Sequence, residues 1–388
     1  VTPSFAVCCL SACLHVCLSA CLLATQPLDR VADNHQVSIH WVLLRLWKDR
    51  MGDSRIPSLP PPIAGGEIDL HTHTKCSDGT STPCEVIDLA KAAGILLIGI
   101  TDHNTACGLR DSVLRKYVGG LDPRAPQIVP GVEITTSLPE PIFEHERVLH
   151  IVGLGVNPNH PVLRKRLIRQ RVAQEKLMRD RLSRLRDSGF DVQWKDMWQV
   201  CGTYSASPYF IAKLLLLKGL APDLSTAKEI VSQHCENEGE ILDNAAMRPA
   251  EAIALIHQAG GVAILAHPHR EVRNHDPEIL RRLFADLKDK GLDAVEGYRQ
   301  DMDDEVQPLY HQLIQEAGLL LSGGSDYHNP HWLQKHNGVP RHPGDAKVPA
   351  RLWPPFAALI KERGGITDLR DLIVAKHESG NANERFLF

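Results

Sequence analysis

The sequence predicts an α/β fold, a barrel of strands and helices interrupted by a helical insertion. Three observations carry this. From residue 67 short apolar runs alternate with helical patterns. The alternation gives way to purely helical patterning over 161–246 and then resumes. Residues able to bind a metal recur where the strands end. Alternating strands and helices imply a parallel sheet, and this many units suggest a barrel rather than an open sheet.

The elements can be justified in order. "EIDLH" reads as a strand. "STPCEVIDLAKAAG" opens with Thr82 as N-cap, Pro83 at the first helical position and Glu85 three residues after the cap, and it stops at Gly94. "ILLIGIT" (95–101) is a buried strand by its length and branched side chains. "QIVPGVEITT" and "RVLHIVGLGV" are further strands. After 161–246 follow the helix "PAEAIALIHQAGG", the strand "VAILAH", a helix over 277–290, the strand "DAVEGY", a helix over 304–317 and the strand "LLLSGGS". The expected division is an N-terminal extension and linker (1–62), a first barrel part (63–160), a helical cap (161–246), a second barrel part (247–345) and a tail (346–388). Two weak helical stretches in the tail carry no functional signal.

The 388 residues are 43% hydrophobic and 23% charged, with a formal net charge of −4. That balance argues against nucleic-acid binding over the whole surface but leaves room for a local basic patch. One such stretch exists: residues 164–186 hold ten Arg or Lys against two acidic residues. Its apolar pairs, Leu163/Leu167, Ile168/Val172, Ala173/Leu177 and Met178/Leu182, drift around the helix, which predicts contacts on more than one side. Five of the ten cysteines crowd into the first 21 residues, and the others form no CxxC pair. Neither a disulfide framework nor a thiolate zinc site is indicated, and a cytoplasmic setting is expected. Residues 5–23 are apolar, yet no basic residue precedes them and the first Met is Met51. We read this stretch as a spurious upstream extension in preference to a membrane anchor.

The chemistry lies at the strand ends. "DLHTHTKCSD" brings His71, His73 and Asp78 after the first strand. Asp102 and His103 follow the second, and Glu133 ends the third. His267 ends a later one, and Asp326 and His328 follow the last. In a barrel of parallel strands these ends form one mouth. His150 is the exception, because it precedes its apolar run. Singly, each of these residues is as readily an ordinary polar side chain or a turn aspartate. Jointly they are hard to explain by packing, since unpaired polar groups near a barrel core are costly.

"DLHTHTKCSDGTSTPCEVIDLAKAAGILLIGITDHNTACGL", "IVPGVEITT", "HIVGLGV", "EAIALIHQAGGVAILAHPHR" and "GGSDYHNP" resemble, in order, the motifs of the polymerase and histidinol phosphatase (PHP) superfamily. They look most like its TrpH-like branch of nucleotide phosphatases and 5′-to-3′ exoribonucleases. The resemblance implies a distorted (β/α)7 barrel with up to three metal ions. It implies that His71, His73, Glu133 and Asp326 bind one ion, that Glu133, His150 and His267 bind a second, and that Asp78, His103 and His328 bind the third. Glu133, Asp326 and His267 are the expected catalytic residues, and Asp69 and Asp102 are expected to orient imidazoles. Arg270, three residues after His267, matches an arginine often found there and is the expected phosphate grip. His269 is a weaker candidate as proton donor, and Cys76 as ligand. Near the second helix of the insertion the relatives often carry Gly-Arg-Pro-His, where this chain has Ser207 and Tyr209 in place of Arg and His.

Six imidazoles and three carboxylates with no thiolate suit Mn, Fe or Zn, and the resemblance implies manganese. Such a cluster can supply hydroxide at neutral pH, clamp phosphate oxygens and stabilise the leaving oxygen. The expectation is therefore a metal-dependent phosphoesterase acting on a nucleotide phosphate or short RNA, with no stable protein partner and no membrane unless residues 5–23 are a real segment. The alternatives are a phosphatase of another metabolite, such as histidinol phosphate, and a non-catalytic binding module.

Overall fold

The computed structural model describes residues 68–109, 125–138, 148–200, 208–234, 246–272, 274–328 and 342–370. The expected extension and linker, and Ser207, lie outside the described residues. Strands β1 (Ile68–Asp69), β2 (Leu97–Ile100), β3 (Gln127–Ser137), β4 (Val148–Leu154), β5 (Val262–Leu265), β6 (Ala294–Tyr298) and β7 (Leu320–Gly323) form one sheet in chain order. The sheet curls until the segments after its two edges meet. Thr72 and Tyr327 form a parallel bridge, His73 N donates to Tyr327 O (2.8 Å), and Asp326 N donates to His71 O (2.8 Å). Gly324 permits this approach, since a Cβ there would lie 2.6 Å from His71 N. This is the distorted (β/α)7 barrel.

The distortion corrects the expectation of a parallel sheet. β4 runs antiparallel to both β3 and β5, while every other neighbouring pair is parallel. The reversal accounts for His150. It sits near the start of β4, opposite Thr135 of β3, and in a reversed strand the start lies at the mouth.

Helix α1 (Pro83–Ala92) forms as its sequence predicts. Thr82 Oγ1 accepts from Glu85 N, the Glu85 carboxylate accepts from Thr82 N (2.7 Å), and Gly94 takes φ +73° beyond the last turn. Val86, Ile87 and Ala90 bury one face against β2. α2 (Pro161–Asp187) has 27 residues, about 40 Å of helix. Its drifting apolar residues serve two cores in succession. Leu163 and Leu167 join the barrel cluster, whereas Met178, Leu182 and Leu185 join a separate cluster with α3 (Pro208–Leu217) and α4 (Leu224–His234). Ile168 and Val172, between them, are exposed. No strand occurs among the described residues of 161–246.

The barrel resumes with α5 (Pro249–Gln258), the short α6 (Pro268–Glu271), α7 (Pro277–Asp289) and α8 (Gln307–Glu316). In the tail, α9 (Trp353–Glu362) buries Phe356 and Ile360 in the apolar cluster under the barrel, beside Leu154 and Val262. Arg363 beyond it pairs with Asp293 through both terminal nitrogens (2.8 and 2.7 Å). Asp293 also accepts from Ala263 N (2.8 Å) and pairs with His257 (2.9 Å). Among the described residues no helix is long and apolar enough to cross a membrane.

Candidate metal centre

Among the described residues, three groups of metal-competent side chains meet at the mouth: His71, His73, Glu133 and Asp326; Glu133, His150 and His267; and His73, Asp78, His103 and His328. Every residue expected to bind a metal is present, and the groups match those expected, with His73 also adjoining the third. Cys76 belongs to none of them. Glu133 is the hinge of the arrangement. Its Oε1 lies 3.0 Å from His267 Nε2 and 3.4 Å from His150 Nδ1. Its Oε2 lies 3.0 Å from His103 Nδ1, 3.1 Å from His73 Nε2 and 3.4 Å from His71 Nε2.

These spacings fit a cation better than they fit hydrogen bonds. Glu133 Oε2 and His103 Nδ1 are buried without a hydrogen-bond partner. The nitrogens His71 Nε2 and His73 Nε2 face each other at 3.0 Å, and Asp326 Oδ1 stands 3.2 Å from His73 Nε2 and 3.5 Å from His71 Nε2. Ligand atoms about 2.1 Å from one ion at tetrahedral angles are about 3.4 Å apart. The oxygen and nitrogen donors, with no sulfur, suit a divalent ion of intermediate softness.

Charge is arranged to match. Burial opposes ionisation of Glu133, yet the surrounding imidazoles, His103 and His71 foremost, hold its carboxyl well below the usual range. Asp326 is likewise buried and is held well below it by His328, Arg270 and His71. Burial disfavours charge on His71, but Glu296, Glu133 and Asp326 outweigh it and raise the ring to about 9. His150 is lowered to about 4 by burial. The backbone is strained here as well: His267 (φ +31°), Asp326 (φ +52°) and Asn104 (φ +51°) are left-handed without being glycine, a state that persists where the surroundings enforce it.

The side chains of His71, His73 and Glu133 are fully buried, while His103 and His150 are 17% and 22% exposed. The cluster therefore opens on the His103/His150 side. Helix α2 flanks that opening. Gln170 Nε2 donates to Asn104 Oδ1 (2.9 Å) and Thr135 O (2.7 Å), and Arg171 Nη1 donates to Thr105 Oγ1 (3.3 Å). The rest of the basic stretch is divided: Arg166 pairs with Glu251, Arg179 pairs with Glu175 and lies over the Trp194 ring, and Arg181 is buried.

Two expected roles need correction. Asp69 and Asp102 touch no imidazole through a hydrogen bond. Asp69 accepts from the backbone N–H groups of His71, Ser325 and Gly344, stapling the barrel seam. Asp102 accepts from Thr74 N, Thr74 Oγ1 and Ser77 Oγ, so it reaches His73 only through Ser77, whose Oγ is 3.4 Å from His73 Nδ1. A carboxylate outside the expected ligand set that does hold an imidazole of the cluster is Glu296, with Oε1 2.8 Å from His71 Nδ1. Sequence reasoning missed Glu296 and Arg299, although charges in and just after "DAVEGY" interrupt a strand that is otherwise apolar and buried, and that was the available signal. Arg270 contacts Asp301 (2.9 Å) and Asp326 (2.8 Å). His269 is buried near Asp301 with neither ring nitrogen hydrogen-bonded, and burial lowers it to about 4.

The fold and the mouth define a barrel with a buried multi-carboxylate, multi-imidazole centre. Residues 69–169 match the model of the PHP domain, and the resemblance holds at that level. The chain is 27% identical over 275 residues to a 5′-3′ exoribonuclease of Haemophilus influenzae, covering 69% of this chain and 92% of that protein. It is 29% identical over 273 residues to a 3′,5′-nucleoside bisphosphate phosphatase of Chromobacterium violaceum, covering 68% and 87%. A solved structure, an amidohydrolase from Chromobacterium violaceum with bound sulfate and no metal, aligns with a TM-score of 0.58 at 25% identity, covering 76% of this chain and 97% of that one.

Proposed function

We propose that this protein is a metal-dependent phosphoesterase that hydrolyses a nucleotide phosphate or the 5′ end of short RNA. The observation that carries it is Glu133, one buried carboxylate shared between two groups, with an oxygen that accepts no hydrogen bond. The names of the relatives, an exoribonuclease and a bisphosphate phosphatase, support the choice of substrate class.

His71, His73, Glu133 and Asp326 would hold one ion, Glu133, His150 and His267 a second, and Asp78, His103 and His328 a third, with manganese the ion of choice. Bound there, divalent ions would supply an acidified water, clamp phosphate oxygens and offset charge on the leaving oxygen. Glu133, Asp326 and His267 act as the catalytic set by holding their donor atoms in fixed positions before substrate arrives. Burial of His71 and His73 keeps bulk water off the inner side, so a phosphate would enter past His103 and His150. Arg270, whose side chain is 25% exposed, would meet a phosphate oxygen from its solvent edge, and residues 161–246 would act as a cap beside that entrance. We infer a cytoplasmic setting from the five cysteines beyond residue 21, which are scattered and form no CxxC pair.

The test strips the full chain of metal, restores Mn, and follows phosphate or nucleotide release from adenosine 3′,5′-bisphosphate and from a short 5′-phosphorylated RNA. Turnover that depends on Mn and is lost in Asp326→Ala is the expected result, and the preferred substrate separates nucleotidase from exonuclease. Absence of release from both substrates, with Mn shown to be bound, would overturn the proposal.

A further inference from the structure

Behind the donor atoms lies a second layer of charge, Arg299, Glu296 and Asp301, none of which is an expected ligand or has a part in the proposed reaction. Arg299 follows β6 and its side chain is fully buried. Its guanidinium touches three carboxylates: Nη1 to Glu296 Oε2 (3.1 Å), Nε to Asp301 Oδ1 (3.1 Å) and Nη2 to Asp326 Oδ2 (3.3 Å). Arg270 closes the same network from its outer edge through Asp301 and Asp326. A buried arginine is costly unless each side of its fork is paired, and here two of the three pairings, to Glu296 and Asp326, lead to the cluster.

The contacts to Asp326 and Glu296 each occupy one oxygen and leave the other directed. Asp326 gives Oδ2 to the two arginines, which leaves Oδ1 near His73 and His71. Glu296 gives Oε2 to Arg299 and to His267 N (2.8 Å), which leaves Oε1 to accept from His71 Nδ1. With Nδ1 so engaged, His71 turns Nε2 towards His73 and Glu133. Metal-binding imidazoles depend on such a partner for ring orientation and tautomer.

Resting on the phosphoesterase reading, we propose that Arg299 is a positioning residue of the metal centre. From one guanidinium it fixes Asp326 directly and His71 through Glu296, so that each presents a single donor atom to the cluster. The planar fork matters, because a lysine ammonium could not hold three carboxylates in fixed directions.

The experiment compares the full-length wild type with Glu296→Gln and Arg299→Lys. It measures Mn retained per chain after equilibrium dialysis, the Mn concentration that half-restores phosphate release, and Tm. Both variants are expected to need roughly 10–100-fold more Mn, to retain fewer ions at a concentration that saturates the wild type, and to regain turnover when Mn is raised. A role in fold stability alone would lower Tm and leave Mn uptake per folded chain unchanged, and that result overturns the proposal. Should Arg299→Lys fail to fold, Glu296→Gln decides by the same readouts. A wild type that neither takes up Mn nor releases phosphate removes the phosphoesterase reading and this assignment together. A wild type that does both, with variants that match it, removes the assignment alone.

Discussion

The two ends of the barrel solve opposite problems. At the floor, α9 closes the barrel with apolar side chains, Phe356 and Ile360 among them, and the ion pair between Arg363 and Asp293 has both its partners satisfied. At the mouth, the same strands converge on carboxylates and imidazoles, several of whose atoms have no hydrogen-bond partner, on a backbone with left-handed non-glycine residues. The floor is built for stability and the mouth for a ligand. The difference teaches that buried polarity is informative when it is unsatisfied, since the floor also carries a largely buried ion pair whose charges are matched to each other.

Three substitutions can break or sharpen that contrast. The largest effect belongs to the mouth. Glu133→Gln is expected to reduce Mn-dependent turnover on the order of 10³-fold and to cancel most of the rise in Tm that Mn gives the wild type. Turnover within tenfold of wild type would sink the shared role of Glu133. Next comes Ile360→Ala at the floor, a fully buried side chain whose truncation is expected to cost about 2–5 kcal/mol in denaturant unfolding. The Mn-induced rise in Tm should survive on the lower baseline, and its loss would show that the two ends are not separate. The smallest effect is Arg363→Met, expected to cost about 1–3 kcal/mol because the pair is partly exposed. Burial opposes charge on Asp293, but His257, Arg363 and Ala263 N outweigh it and lower its carboxyl from 3.8 to about 2. A depressed carboxyl stabilises the fold above its unfolded value and loses that contribution as pH falls through the folded one. The cost of Arg363→Met should therefore be constant above about pH 4 and shrink towards pH 2. A cost that does not change over that window would argue against the pair.

Much of this was legible because it is local. The cap of α1 lies within four residues, and the strand ends announced their metal-competent side chains one by one. The direction of β4 was not legible, because an apolar run reads the same whichever way it is threaded, and only the early position of His150 hinted at it. The roles of Asp69 and Asp102 were misread because closeness in sequence to a ligand does not say which donors a carboxylate will meet. Asp69 meets N–H groups contributed by Ser325 and Gly344, far away along the chain. The tail carried no signal for a similar reason: the residues that Phe356 and Ile360 cover lie elsewhere in the sequence.

The reversed strand has a consequence for parity. Between parallel neighbours a single helix carries the chain back to the end where the next strand begins. β4 finishes opposite the start of β5, with Leu154 across from Val262, so the connection owes no net travel. Any excursion must instead go out and come back. Here α2 leaves and α5 returns, with Met247 regaining the barrel beside Thr136. A connection whose two ends coincide can lengthen or shorten without altering the register of any strand. In this barrel it is therefore a point where sequence can be added beside the entrance while the cluster stays as it is.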